Sequence, residues 1–81
     1  MRMSREEIIE KLQEIMEYTL GTAPEFSESS RLIEDLGFTS IDMLYMVIAC
    51  EESFSIRFEK IGVLDIATVG AAVDYIEGKL K

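Results

Sequence analysis

Ile8, Leu12, Ile15 and Met16 recur at helical spacing, with Ile9 beside them, while Glu6, Glu10, Lys11, Gln13, Glu14 and Glu17 fill the other side. That period predicts an amphipathic helix from about Arg5 to Thr19, ending before Gly21. Ser4 and Glu7 make a capping box at its start, and Met3 can pack on Ile8 as a hydrophobic staple. A second stripe, Met43, Met46, Val47, Cys50 and Phe54, has the same period. It predicts a helix from about Ser40 to Phe54 with this face in the core. The remaining apolar positions of that helix, Ile41, Leu44, Tyr45 and Ile48, lie largely on another side. A domain this small can hardly enclose a helix all round, so part of this set is expected at the surface, next to Ser40.

Gly21 to Phe38 has no sustained period and contains Pro24 and three serines. It reads as a long loop, with Phe26, Leu32, Ile33 and Leu36 as anchors and a helical turn from Ser30 to Asp35. Such a loop lets the second helix begin at the end of the molecule where the first one stops. Beyond Phe54, Ile56 and Phe58 alternate like a strand but have no second strand to pair with. A loop followed by a short helix from about Lys60 to Leu64 is expected instead. Gly62 weakens that helix by roughly 1 kcal/mol relative to alanine, and it should be the most mobile ordered segment. Thr68 then caps a last helix with Val69, Ala72, Val73 and Ile76 on its inner face and Gly78 near its end. Ala71 and Ala72 allow close approach of a neighbour. The expected fold is all-α, one domain over residues 1–81, with three longer helices, a short third helix and a long first loop.

Composition narrows the function. The 81 residues carry 16 acidic and 8 basic side chains, a net charge of −8, with 48% apolar residues. Nucleic-acid binding needs a basic patch, and none is present. Acidity favours basic partner surfaces and opposes self-association, so a monomer is expected. Eight of the acids lie between Glu25 and Glu59, against Arg31 and Arg57. Cys50 has no second cysteine to pair with and sits on the apolar face, as a buried small hydrophobe would. With no histidine and no Cys-x-x-Cys, no metal site is expected. Neither a signal peptide nor a membrane span is read, and the expected location is cytoplasmic.

The chemistry concentrates at the start of the second helix. Thr39-x-x-Asp42 forms a capping box with aspartate at its far end. Ser40 falls at the first helical position, at the positive end of the helix dipole, a favourable seat for a phosphate ester. As a catalytic nucleophile Ser40 would need an adjacent base, and the chain has neither histidine nor a Gly-x-Ser-x-Gly elbow. No catalytic residue is assigned. Taken alone, Ser40 could be a plain helix-start residue.

Asp35-Leu36-Gly37-x-x-Ser40-Ile41-Asp42 resembles the attachment motif of acyl carrier proteins, D-L-G-x-D-S-L-D/E. Glu51-Glu52-x-Phe54 and Ala71-Ala72-Val73-Asp74-Tyr75-Ile76 resemble the family's second and last helices without a gap, so the likeness covers nearly the whole chain. The chain departs from the pattern at Thr39, which replaces an aspartate, at Tyr45, where glutamate is usual, at Ser53, and at Gly62 in the short helix. The resemblance implies a four-helix bundle of acyl-carrier type. It implies 4′-phosphopantetheine, donated by coenzyme A through a phosphopantetheinyl transferase and attached to Ser40, holding acyl groups of fatty-acid or polyketide assembly as thioesters. It also implies acyl-transferring and synthase partners with basic docking surfaces, contacted through Ile41, Leu44, Tyr45 and Ile48 and steered by Asp42, Glu51 and Glu52. Met16, Met43, Met46, Phe26, Phe54, Ile61 and Tyr75 could wall a sheltered acyl chain, with the Lys60–Leu64 helix as its gate. Two alternatives stay open: a carrier for an aminoacyl or other special group, and an unmodified helical interaction module.

Overall fold

The computed structural model describes residues 3–58 and 66–80. Three helices stand among them: α1 (Arg5–Leu20), α2 (Ser40–Phe54) and α3 (Val69–Leu80). The described residues form no strand; Arg31 and Thr68 make an isolated antiparallel bridge. The expected helix at Lys60–Leu64, with Ile61 and Gly62, lies outside the described residues.

Each helix begins where the sequence supplies a cap. The Ser4 hydroxyl accepts from the Glu7 N–H at 3.1 Å, and the Glu7 carboxylate accepts from the Ser4 N–H at 2.8 Å. That exchange holds the Glu7 carboxyl below the usual carboxylate range. Thr68 opens α3 with one half of such an exchange, its hydroxyl accepting from the Ala71 N–H at 3.0 Å. α1 ends one residue later than the pattern predicts. Gly21 takes a left-handed conformation, φ 76°, and its N–H closes on the Glu17 carbonyl.

Packing follows the predicted stripes. Ile8, Leu12, Ile15 and Met16 of α1 meet Met43, Met46, Val47, Cys50 and Phe54 of α2 and Val69, Ala72, Val73 and Ile76 of α3 in one buried cluster. Each large side chain so buried contributes roughly 1.5–3 kcal/mol. One groove is lined by Met3, just ahead of α1, by Phe54 at the end of α2, and by Lys79 and Leu80 at the end of α3. α1 therefore runs antiparallel to both others, and α2 does begin at the end where α1 stops.

The long loop is anchored as expected with one exception. Leu32 is fully buried, and Phe26 and Leu36 pack partly against the core. Ile33, expected to be an anchor, is instead 42% exposed. Leu32 is fixed on both sides, donating to the Ala67 carbonyl at 2.9 Å and accepting from the Phe38 N–H at 3.0 Å. With Leu32 turned inward, its immediate neighbour Ile33 faces out. No described helix is long and apolar enough to cross a membrane.

A serine presented at the start of the second helix

The residues ahead of Ser40 form a tied turn. The Asp35 carboxylate accepts from the Arg31 N–H at 2.8 Å, and the Arg31 carbonyl accepts from the N–H groups of Asp35 and Leu36. Those bonds from Arg31 hold the Asp35 carboxyl below the usual range. Gly37 then takes φ 80°, a left-handed conformation that a β-carbon would strain. This reversal drives the Phe38 ring into the core, where it is among the largest fully buried side chains. Thr39 follows in extended conformation as the N-cap, and Ser40 is the first residue of α2. Clasp, reversal, plug, cap and hydroxyl thus follow in sequence order, and the plug fixes where the hydroxyl emerges.

The cap is reciprocal. The Thr39 hydroxyl accepts from the Asp42 N–H at 3.1 Å, and the Asp42 carboxylate accepts from the Thr39 N–H at 3.0 Å. The Met43 N–H closes on the Thr39 carbonyl. The N–H groups of Ser40 and Ile41 are left at the helix start, on two exposed residues. An exposed primary hydroxyl next to such donors can bear a phosphate ester, and the helix dipole favours the added negative charge. No group of three or more acids, cysteines or histidines that could hold a metal occurs among the described residues.

Beside Ser40 the apolar stripe of α2 is open, with Ile41 63% and Tyr45 60% exposed and Leu44 and Ile48 exposed as well. The acidic positions differ from one another. Glu52 is exposed, whereas the Glu51 carboxylate accepts from the Phe58 N–H at 2.9 Å and so ties down the chain that leaves α2. Asp42 and Glu51 thus both serve the fold through bonds to backbone N–H groups. Glu59 lies outside the described residues. Met16, Met43 and Met46 are buried within the packed core.

Sequence patterns missed three residues that shape this region. Phe38 lay between the loop and the helix, with no period to flag it. Tyr18, on the polar side of α1, is 91% exposed. Gly70 is buried against the long loop. Only the bulk of a phenylalanine immediately after a glycine could have pointed to the first of them.

The family model for the phosphopantetheine attachment site matches residues 9–76. The chain is 38% identical over 78 residues to an acyl carrier protein of Thermotoga maritima, covering 95% of this chain and 96% of the relative. It is 40% identical over 78 residues to one of Prochlorococcus marinus, covering 95% and 98%. It is 40% identical over 74 residues to one of Renibacterium salmoninarum, covering 90% and 91%. With helices, capped serine and these likenesses in agreement, the chain belongs to the phosphopantetheine-attachment family as an acyl carrier protein, a carrier of covalent 4′-phosphopantetheine rather than a catalyst.

Proposed function

We propose that Ser40 receives the phosphopantetheine arm and that the chain carries acyl intermediates of fatty-acid or polyketide assembly. One observation carries the reading: an exposed hydroxyl on the first residue of a capped helix, inside the matched family region. In attachment, Ser40 Oγ forms a bond to the phosphorus that bears pantetheine. The pyrophosphate bond of coenzyme A breaks, the adenosine bisphosphate leaves, and the serine proton passes to a base on the transferase, since this chain has no histidine. Once bound, the arm supplies a thiol that holds the acyl group as a thioester.

The chain's own residues position and present. Thr39 and Asp42 lock the first turn, so the tether point does not fray. Ile41, Leu44, Tyr45 and Ile48 offer an apolar face to partner enzymes, and Asp42, Glu51 and Glu52 steer basic docking surfaces, mainly through orientation and on-rate. The reading extends to one carrier domain over residues 1–81, a short third helix completing a four-helix bundle, a monomer, and a cytoplasmic location. Neutral Thr39 and Tyr45, beside the site, favour a partner set that does not depend on the most acidic form of α2.

Coenzyme A and a phosphopantetheinyl transferase, followed by intact mass, test the reading. Wild type should gain one arm and Ser40→Ala none. A Ser40→Ala variant that still gains the arm would place attachment elsewhere.

A further inference from the structure

Tyr18 stands almost wholly in solvent near the end of α1. It borders a groove of about 340 Å³ shared with Thr19 of α1 and with Tyr45, Ile48, Ala49 and Glu52 of α2. Among the described residues the lining is mainly apolar and aromatic, with one carboxylate and no cation. The groove continues the open stripe of α2: Ile41, Leu44, Tyr45, Ile48 and Glu52 fall within one arc of the helix at 3.6 residues per turn. That stripe starts beside Ser40 and ends in the groove, and Tyr18 extends it across to α1.

We propose that this α1–α2 groove receives an apolar side chain, flanked by lysine or arginine, from the phosphopantetheinyl transferase. The inference rests on Ser40 being the attachment residue. Before attachment no arm bridges any gap, so the transferase must bring its active site to the Ser40 hydroxyl itself. Tyr45, Ile48 and Glu52 lie between about 8 and 18 Å farther along α2. An interface of ordinary size, about 800 Å² per partner, is roughly 30 Å across and reaches them.

Charge selects the occupant. The net charge of −8 repels nucleic acid and anionic membranes. A second copy docked two-fold on the same groove would bring Glu52, and Glu14 one turn before Tyr18, against their own counterparts. An apolar knob with basic flanks satisfies both the lining and the carboxylate. Tyr18 then acts as an aromatic anchor and Glu52 as the charge that fixes orientation.

Steady-state transfer from coenzyme A to the apo protein, read by intact mass, tests this. Tyr18→Ala should raise KM for the carrier at least fivefold with kcat within twofold, and Tyr18→Phe should keep the wild-type value. Glu52→Lys should raise KM about tenfold and flatten its dependence on salt, while Glu25→Gln, on the long loop, should change nothing. The altered side chains are exposed, so circular dichroism should match wild type throughout. Wild-type conversion with Tyr18→Ala and Glu52→Lys both within twofold overturns the inference and leaves Ser40 attachment standing. A micromolar dimer that Tyr18→Ala abolishes in sedimentation would give the groove to a second copy and overturn it too. A wild-type chain that takes no arm defeats the attachment reading and this inference with it.

Discussion

The Gly70 N–H donates to the Glu28 carbonyl at 2.8 Å, and a β-carbon at Gly70 would lie 2.9 Å from that oxygen. The long loop therefore rests directly on the backbone of α3. The Glu28 side chain is held as well, paired with Arg5, whose guanidinium also reaches Asp74 at 2.9 Å and Glu77 at 3.1 Å. Arginine holds the Glu28 carboxyl below the usual range. Loop, α1 and α3 meet at this point, far in sequence from Ser40 but on the same loop that delivers it. Gly70→Ala should destabilise the protein by roughly 1–3 kcal/mol, because the obstacle is backbone rather than a yielding side chain. A denaturant midpoint unchanged from wild type would refute the close approach.

Thr39→Ala removes the hydroxyl that accepts from the Asp42 N–H. The expected loss is about 1 kcal/mol, with Thr39→Ser close to wild type. Amide exchange should quicken in the first turn of α2 and leave its C-terminal half unaltered. A uniform change along the helix would mean that the cap is not local.

Ser55 ends α2 at φ 56°, a left-handed conformation that costs a non-glycine residue about 1 kcal/mol. Its N–H and that of Ile56 both close on the Glu51 carbonyl, so the backbone bonds do not need the serine side chain. Ser55→Gly should raise thermal stability by roughly 0.5–1 kcal/mol, less the entropy that glycine adds to the unfolded chain. A lower melting temperature would show that the side chain matters.

Burial, aided by the neighbouring Glu51 charge, pushes the Cys50 thiol up from 9.0 to about 12. A folded value raised above the unfolded one leaves stability intact below pH 9 and removes it as pH climbs toward 12, because the unfolded thiolate forms first. Cys50→Ala creates a cavity and lowers stability at pH 7, but it should lose less between pH 9 and 11 than wild type does. Parallel stability curves for the two proteins over that interval would contradict the burial of the thiol.

The helices were legible because their causes are local. Ser4 and Glu7, or Thr39 and Asp42, are three residues apart and find each other wherever the chain is placed. The stripe from Met43 to Phe54 states which face is buried once a helix exists. The open face of α2 was legible too, since a short chain lacks the material to cover Ile41 and Tyr45. Ile33 misled because hydrophobicity alone cannot say which of two adjacent apolar residues turns inward.

By itself, then, the sequence determined where the three described helices begin, which stripe each one buries, and that a serine opens the second. Those outcomes depend on residues within a turn or two of one another. The tertiary structure alone decided that Phe38 plugs the core below Ser40, that Gly70 must be small, that Arg5 gathers acids from two other segments, and that Tyr18 shares a groove with Tyr45. Each of these requires groups distant along the chain to meet, and no local period encodes which of them do.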